Sequence, residues 1–342
     1  MKIEKQHIQQ FQTVQEYIRT AKNKAYKAVN TTLIDLYWNI GAFVHNKIQT
    51  SEWGKSVVQE LSNYISENEP DSKGFSAQNI WRMKQFYETY CDNEILSPLV
   101  REISWTNNLL ILSKTTDDRE KEFYLQLAIK EKYSSRELER QIDSGLFERS
   151  VTDSKKLSAV LREIHPEAES AFRDRYMLDF LSLPKHHSEK DFQKAIVQNL
   201  KQFINEFGKD FAFVGEEYRL QVGNKDFYID LLFYHRELQC LVAFDLKITD
   251  FKPEYMGKME FYLEALDNDV KKEHEKPSVG VILCKSHDSM VVQYALNRSI
   301  SPTLIAQYET QLIDKKLLEQ KLDEFYRLEE PRVEYVTLNK RV

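Results

Sequence analysis

The strongest constraint on the fold of this chain is a change of hydrophobic period near its middle. From residue 7 to about residue 150, apolar residues recur roughly three or four positions apart and glycine is scarce, a pattern typical of amphipathic helices. After about residue 210 the period becomes two, which is typical of strands. We therefore predict an all-α N-terminal domain (residues 1–150), a charged helical linker (151–184) and an α/β domain (185–342).

The sequence of the C-terminal domain predicts the order of its helices and strands. The segment DFQKAIVQNLKQFINEFG predicts a helix that ends at Gly208. Three strands follow, FAFVGEEYRLQV, FYIDLLFYH and QCLVAFDLKI, and then a helix, a strand, a helix and a last strand. The order α-β-β-β-α-β, extended by one more helix and strand, predicts a mixed sheet in a three-layer arrangement.

Three charged residues interrupt the apolar pattern of the second and third strands, namely Asp230, Asp245 and Lys247. If the connecting hairpin turns about Glu237 and Leu238, Asp230 lies opposite Asp245 at about 5 Å. Opposed carboxylates in a half-buried sheet are destabilising unless a cation lies between them. Oxygen ligands of this kind predict Mg²⁺, with Mn²⁺ as an alternative. The other interpretation is an ordinary Asp-X-Lys triplet on a solvated sheet face.

The same residues resemble the PD-(D/E)XK nuclease superfamily. Longer stretches, such as DFYIDLLFYHRELQCLVAFDLK and FKPEYMGKMEFYLEALD, are similar to the bacterial YhcG-like family over nearly the whole chain. The resemblance implies a helical N-terminal domain and a restriction-endonuclease-like core that hydrolyses DNA phosphodiester bonds with magnesium. It also implies that Asp230 is the first metal ligand, that Asp245 and Lys247 are the acid and lysine of the motif, and that the Leu246 carbonyl is a further ligand.

The chain departs from this pattern at two places. Gln193 stands where the first core helix of related nucleases often has a glutamate, and Glu189, one turn earlier, could substitute for it. Lys258 and Tyr262 stand where the RecB-like branch often has glutamine and tyrosine. Spaced four apart on a helix, these two residues share a face and could reach a phosphate. Their other interpretations are a solvated surface lysine and a core-packing aromatic.

The helical half contains one candidate recognition helix, in the segment SAQNIWRMKQFYETY, with Ser76 as its predicted N-cap. Its amide and guanidinium groups are of the kind that read base edges, and nearby lysines could hold phosphates. The alternative is a capped amphipathic helix with a polar outer face. The candidate DNA-binding residues are Gln78, Asn79, Arg82, Gln85, Lys73 and Lys84, with Lys22, Lys24 and Lys27 as further phosphate contacts.

Composition limits the remaining function classes. The net charge of −6 neither supports nor excludes a nucleic-acid partner. The polar start, the lack of a long apolar run and the three scattered cysteines predict a cytoplasmic protein without a membrane segment. Zinc, Walker and nucleophile-elbow patterns are absent from the sequence.

We therefore predict a magnesium-dependent DNA nuclease with a helical targeting domain. A homodimer is favoured if both strands of a duplex are cut. Two alternatives stay open at this point. One is a nucleic-acid-binding or assembly protein whose nuclease site is inactive. The other is a helical interaction protein with no role on nucleic acid.

Overall fold

The computed structural model describes residues 28–50, 55–152, 155–184, 186–312, 316–320 and 322. Internal contacts divide the chain into two compact units, with the boundary in the sequence between Ile142 and Asp143. The phosphate contacts predicted at Lys22, Lys24 and Lys27 lie outside the described residues. Among the described helices, none is both long and apolar enough to cross a bilayer.

The described elements of the N-terminal unit are all helices, as the hydrophobic period predicts. Ser76 caps the predicted recognition helix, because its side chain accepts a hydrogen bond from the backbone of Asn79. Val44, Val58 and Ile80 form a buried cluster from three successive helices. The helices are α1 (28–49), α2 (Lys55–Asn68), α3 (Ala77–Tyr90), α4 (Leu96–Leu99), α5 (Trp105–Lys114), α6 (Asp118–Glu131) and α7 (Ser135–Asp143).

Close helix packing in this unit depends on Gly41. A Cβ at this position would overlap the backbone carbonyl of Met83, which cannot move aside as a flexible side chain could. We expect Gly41→Ala to lower the free energy of unfolding of this unit by about 2 kcal/mol or more, despite the better helix propensity of alanine. All four tryptophans of the chain lie between residues 38 and 105, so tryptophan fluorescence in urea follows this unit.

Gly257 provides the matched control for that prediction. It also lies inside a helix, but no atom comes within 4 Å of a Cβ built there. Gly257→Ala should therefore raise the free energy of unfolding of the α/β domain, followed by far-ultraviolet circular dichroism, by up to about 1 kcal/mol. Equal effects of the two substitutions would contradict the packing argument.

The C-terminal unit is an α/β domain with a seven-stranded sheet. Its strands are β1 (Lys156–Leu157), β2 (Arg175–Met177), β3 (Phe211–Val222), β4 (Lys225–His235), β5 (Cys240–Leu246), β6 (Val279–Cys284) and β7 (Thr303–Glu309). Its helices are α8 (Leu146–Thr152), α9 (Ala159–Ile164), α10 (Ala168–Ala171), α11 (Glu189–Gln198), α12 (Leu200–Phe207), α13 (Glu254–Asp269) and α14 (Ser289–Asn297).

The sheet is mixed, and its strand order is β1-β7-β6-β5-β4-β3. Strands β3, β4 and β5 form antiparallel hairpins, whereas β5, β6 and β7 are parallel and are joined through α13 and α14. The predicted α-β-β-β-α-β order is therefore confirmed. Strand β5 is buried along its whole length, because strands lie on both its sides and helices cover both faces.

Two apolar clusters cover the two faces of the sheet. One contains Phe192 of α11 and Phe203 and Phe207 of α12. The other contains Met259 and Leu263 of α13, with residues of α14. Side chains alternate along β5, so Ala243 belongs to the α13 cluster and Phe244 to the α11 and α12 cluster. The α/β domain thus has three layers, and Asp245 lies on the face of the sheet that α13 covers.

The segment predicted as a helical linker, 151–184, is part of the α/β domain. Lys156 and Leu157 pair antiparallel with β7, and residues Arg175–Met177 pair parallel with it. The prediction of a linker is wrong, because strands of two and three residues are too short to show a period of two. The pairing extends the sheet beyond β7.

A buried histidine gives this unit a pH-dependent stability. His165 is fully buried, its Nε2 lies 2.8 Å from the Pro277 carbonyl oxygen, and its Nδ1 has no hydrogen-bond partner among the described residues. Burial lowers its pKa, so the unfolded chain takes up a proton first as pH falls below about 6.5. Stability should then fall by at most about 1.4 kcal/mol per pH unit. Urea unfolding followed by circular dichroism at pH 7 and pH 5 should show a smaller loss for His165→Gln.

Candidate active site

The β4–β5 hairpin brings the two predicted acids to one end of the sheet. Leu231 pairs with Phe244, and the register continues to His235 and Cys240 as predicted. Asp230, just beyond the last pair, accepts a hydrogen bond of 2.7 Å at Oδ2 from the backbone N–H of Leu246. The Asp230 carboxylate is therefore fixed beside the main chain that carries Asp245.

Asp245 is the most buried charge of the site, with 1% of its surface exposed. Lys247 Nζ lies 2.8 Å from its Oδ2, and Lys258 Nζ lies 2.7 Å from its Oδ1. The second contact is a hydrogen bond. Asp245 Oδ2 has no hydrogen-bond partner among the described residues, so its contact with Lys247 is electrostatic without hydrogen-bond geometry.

Helix α13 supplies Lys258 and Tyr262 on one face, as their spacing predicts. The Lys258 ammonium lies 5.2 Å from the centre of the Tyr262 ring. The Tyr262 hydroxyl donates a hydrogen bond of 2.6 Å to the carbonyl of Tyr228, and its side chain belongs to the apolar cluster on this face. Tyr262 thus ties α13 to β4, which corresponds to the core-packing interpretation. Lys258 is partly exposed, but its ammonium pairs with the buried Asp245 carboxylate.

Helix α11 places two polar side chains at the site. The Gln193 Nε2 donates a hydrogen bond of 2.7 Å to the main-chain carbonyl of Asp230, so this amide holds strand β4. Glu189 lies at the beginning of α11, and its Oε2 is 3.8 Å from Lys247 Nζ. Glu189 therefore adds negative charge on the Lys247 side.

Burial and neighbouring charges change the protonation of two groups in the site. Burial raises the pKa of Asp230 above its usual range, the Leu246 N–H opposes the rise, and the charge of Asp245 adds to it. Burial by itself lowers the pKa of Lys258, but the Asp245 carboxylate reverses the effect and the net pKa is raised. Lys258 is therefore a firmly charged ammonium.

The donor set of the site fits a hard divalent cation. The two carboxylates of Asp230 and Asp245 and the carbonyl of Leu246 are all oxygen ligands, which Mg²⁺ prefers. The buried Asp245 carboxylate, whose Oδ2 has no hydrogen bond among the described residues, is the group that a cation would satisfy. Among the described residues, no three His, Cys, Asp or Glu side chains converge as a metal site. Water would complete the shell of a magnesium ion, which commonly keeps several waters.

The predicted recognition helix, α3, presents part of the expected set to solvent. Gln78, Arg82 and Gln85 are exposed and share a face. Asn79 is engaged within the unit, because its amide nitrogen donates to the Gly74 carbonyl and its oxygen accepts from the Trp105 indole. Its prediction as a base-reading residue is therefore corrected.

The two lysines predicted near this helix differ in their surroundings. Lys84 forms an ion pair of 2.5 Å with Glu88 and lies 5.9 Å from the Trp81 ring. Lys73, in the loop before α3, is exposed. Among the described candidate DNA-binding residues, the exposed cations are thus Arg82 and Lys73.

One aromatic residue of the site was missed by the sequence analysis. The Lys247 ammonium lies 5.2 Å from the centre of the Tyr255 ring. Tyr255 and Lys258 are three residues apart on α13, and Tyr262 is four residues further on. The spacing of three residues from Lys258 on a helix was the signal that could have identified Tyr255.

Two family models match the chain. Residues 169–323 match the model described as "YhcG PDDEXK nuclease domain", which contains every site residue named from α11, β4, β5 and α13. Residues 13–149 match the model described as "DUF1016 N-terminal domain". The two matches correspond to the α/β and helical parts of the chain.

The chain is also similar to a curated protein of Escherichia coli (strain K12) named "Putative nuclease YhcG". The two are 30% identical over 344 residues, which cover 89% of this chain and 90% of the relative. Among solved structures, a repair endonuclease from Pyrococcus abyssi aligns with 38% of this chain and 49% of its own length, at 15% identity and a TM-score of 0.25. That score is too low to bear on fold or function.

Proposed function

Because the chain belongs to the YhcG family, whose C-terminal part is a PD-(D/E)XK nuclease domain, we propose that it is a magnesium-dependent nuclease acting on DNA. The observation that carries the proposal is the buried Asp245 carboxylate with Lys247 Nζ at 2.8 Å, beside Asp230. Buried charges of this kind cost stability, and they cluster at functional sites.

Five residues of the site would take part in phosphodiester hydrolysis. Asp230, Asp245 and the Leu246 carbonyl would hold the cation. A bound magnesium ion supplies Lewis acidity, which lowers the pKa of water and offsets charge on the phosphate. Lys247 places a positive charge where negative charge grows on the phosphate oxygens. Gln193 and the Leu246 N–H keep Asp230 in position from both sides.

The helical unit would direct the nuclease to its substrate through the exposed face of α3. We expect Arg82→Ala to weaken DNA binding by about 1–3 kcal/mol, since a guanidinium can contact a guanine edge or a phosphate. Arg119→Ala, at an exposed position of α6 in the same unit, is the control. Fluorescence anisotropy with labelled duplex DNA measures both. Equal affinities of the two variants would contradict a role for α3.

A second candidate function has its own support. Both carboxylate oxygens of Asp245 lie close to lysine ammonium groups, and Gln193 replaces the expected acid of α11. These features also suit a DNA-binding protein whose nuclease site no longer cleaves. Such a protein would bind DNA with the usual dependence on salt but cut none in any metal.

The test of the proposed function is incubation of the full-length protein with supercoiled, linear, branched and single-stranded DNA. Each substrate is tested with Mg²⁺, with Mn²⁺ and with EDTA. The proposal predicts cleavage that requires the metal. Binding without cleavage in every metal would favour the second candidate, and the preferred substrate shape would follow from the same gels.

A further inference from the structure

The acidic pair of the active site already has its own counter-ions. Asp230 and Asp245 carry two negative charges, and the two lysines that contact Asp245 carry two positive charges. Both oxygens of Asp245 are within 2.8 Å of an ammonium nitrogen. A divalent cation that binds Asp245 therefore has to compete with at least one of these lysines.

The two lysines differ in their freedom to leave. The side chain of Lys247 is 8% exposed, lies on the Tyr255 ring and donates a hydrogen bond of 3.2 Å to the Leu246 carbonyl. The side chain of Lys258 is 42% exposed and comes from helix α13 rather than from the sheet. A lysine has a flexible four-carbon stem, so an exposed one can move its ammonium into solvent at low cost.

We propose that Lys258 is an exchangeable counter-ion of Asp245, which occupies Oδ1 while no divalent cation is bound and leaves it when a cation binds. The inference rests on the proposed function of the acidic pair. Lys258 neutralises a carboxylate that would otherwise be buried and unpaired, which is costly. The released ammonium then stands at the exposed side of the site, where it can pair with a phosphate of the DNA. Lys258 thus links cation binding to substrate binding.

The proposal and the alternative, in which Lys258 supports cation binding, predict opposite changes in cation affinity when Lys258 is replaced. In Lys258→Gln the competing charge is lost, so the affinity for Mn²⁺ should increase by about tenfold or more, as loss of a nearby like charge predicts. Lys258→Arg keeps the charge and should stay near the parental affinity. Lys252→Gln removes an exposed charge from the loop just before α13 and should also leave the affinity near the parental value.

Isothermal titration calorimetry of the full-length protein with manganese chloride, without DNA, measures these affinities. Equal or weaker binding by Lys258→Gln, while the parental protein binds, overturns the inference and leaves the proposed function intact. Absence of binding in parental protein and variant alike overturns both. Tighter binding by Lys258→Gln alone supports the exchange.

A second measurement uses the parental protein, so it does not depend on the folding of a variant. Amine acylation of lysines is followed by peptide mass spectrometry in EDTA and in magnesium chloride. Lys258 should react faster in magnesium because its ammonium has left Asp245, whereas Lys252 should react equally in both. Equal reaction of Lys258 in the two solutions, at a magnesium concentration that saturates the site, would count against the exchange.

Discussion

Lys247→Met should lower the rate of DNA cleavage by about 10³-fold while leaving DNA affinity unchanged. Lys247 is almost fully buried, and its ammonium lies between Asp245 at 2.8 Å and Glu189 at 3.8 Å. A charge in that position acts where the phosphate gains negative charge, and removing one such group commonly costs 10²–10³-fold. On our proposal most of the binding energy would come from phosphate contacts away from the site, so DNA affinity should not change.

Single-turnover cleavage of end-labelled DNA in Mg²⁺ measures the cleavage rate, and fluorescence anisotropy in EDTA measures the DNA affinity. Lys252→Met is the matched control, since it removes an exposed lysine only five residues further along the chain. The role of Lys247 would be refuted by parental cleavage in Lys247→Met, or by a loss of cleavage that follows a loss of affinity.

Glu206→Ala should destabilise the α/β domain by about 3–5 kcal/mol, the usual cost of leaving a buried charge without its partner. Glu206 on α12 is fully buried and accepts a hydrogen bond of 2.8 Å from the backbone of Met177 in β2. Arg149 of α8, 2% exposed, lies 3.8 Å from its Oε1, and Arg173 lies 3.7 Å from the same atom. The carboxylate therefore joins three elements at the β2 side of the domain.

Two variants separate charge from hydrogen bonding at this position. Glu206→Gln keeps an oxygen for the Met177 N–H and should cost less than Glu206→Ala. The double variant Glu206→Met with Arg149→Met should recover part of the loss, because the deeply buried Arg149 charge is removed together with its partner. Urea unfolding followed by far-ultraviolet circular dichroism measures all of them, since no tryptophan lies in this domain. Loss of an exposed ion pair costs below about 1 kcal/mol. A loss of that size for Glu206→Ala would contradict the role given to the buried carboxylate.

The hairpin that carries the acids could be predicted from the sequence because its signals are local. Alternation of side chains identifies β4 and β5, and the short connection between them fixes their register. The register in turn places Asp230 beside the strand that carries Asp245. The later strands are predicted instead from short apolar runs, which a buried strand favours over a helix of ordinary length.

Other features depend on contacts between distant segments, which a single sequence does not display. Strands β1 and β2 form because the edge of β7 is available to them, and their own residues show no strand period. The pairing of Lys258 with Asp245 joins residues 13 positions apart through the packing of α13 on the sheet. Asn79 looks like a base-reading amide until the Trp105 indole is seen to occupy its oxygen.

We propose that the buried acid of the β4–β5 hairpin is the centre of a metal-dependent nuclease. The most direct measurement is single-turnover cleavage by the parental protein, by Asp245→Asn and by Asp226→Asn, each in Mg²⁺ and in EDTA. Asp226 lies on the same hairpin but is exposed and pairs with Arg219 at 2.9 Å, so it controls for charge and strand. We expect cleavage by the parental protein and by Asp226→Asn in Mg²⁺ only, and none by a folded Asp245→Asn. Cleavage by Asp245→Asn at the parental rate, or cleavage in EDTA, would contradict the proposal.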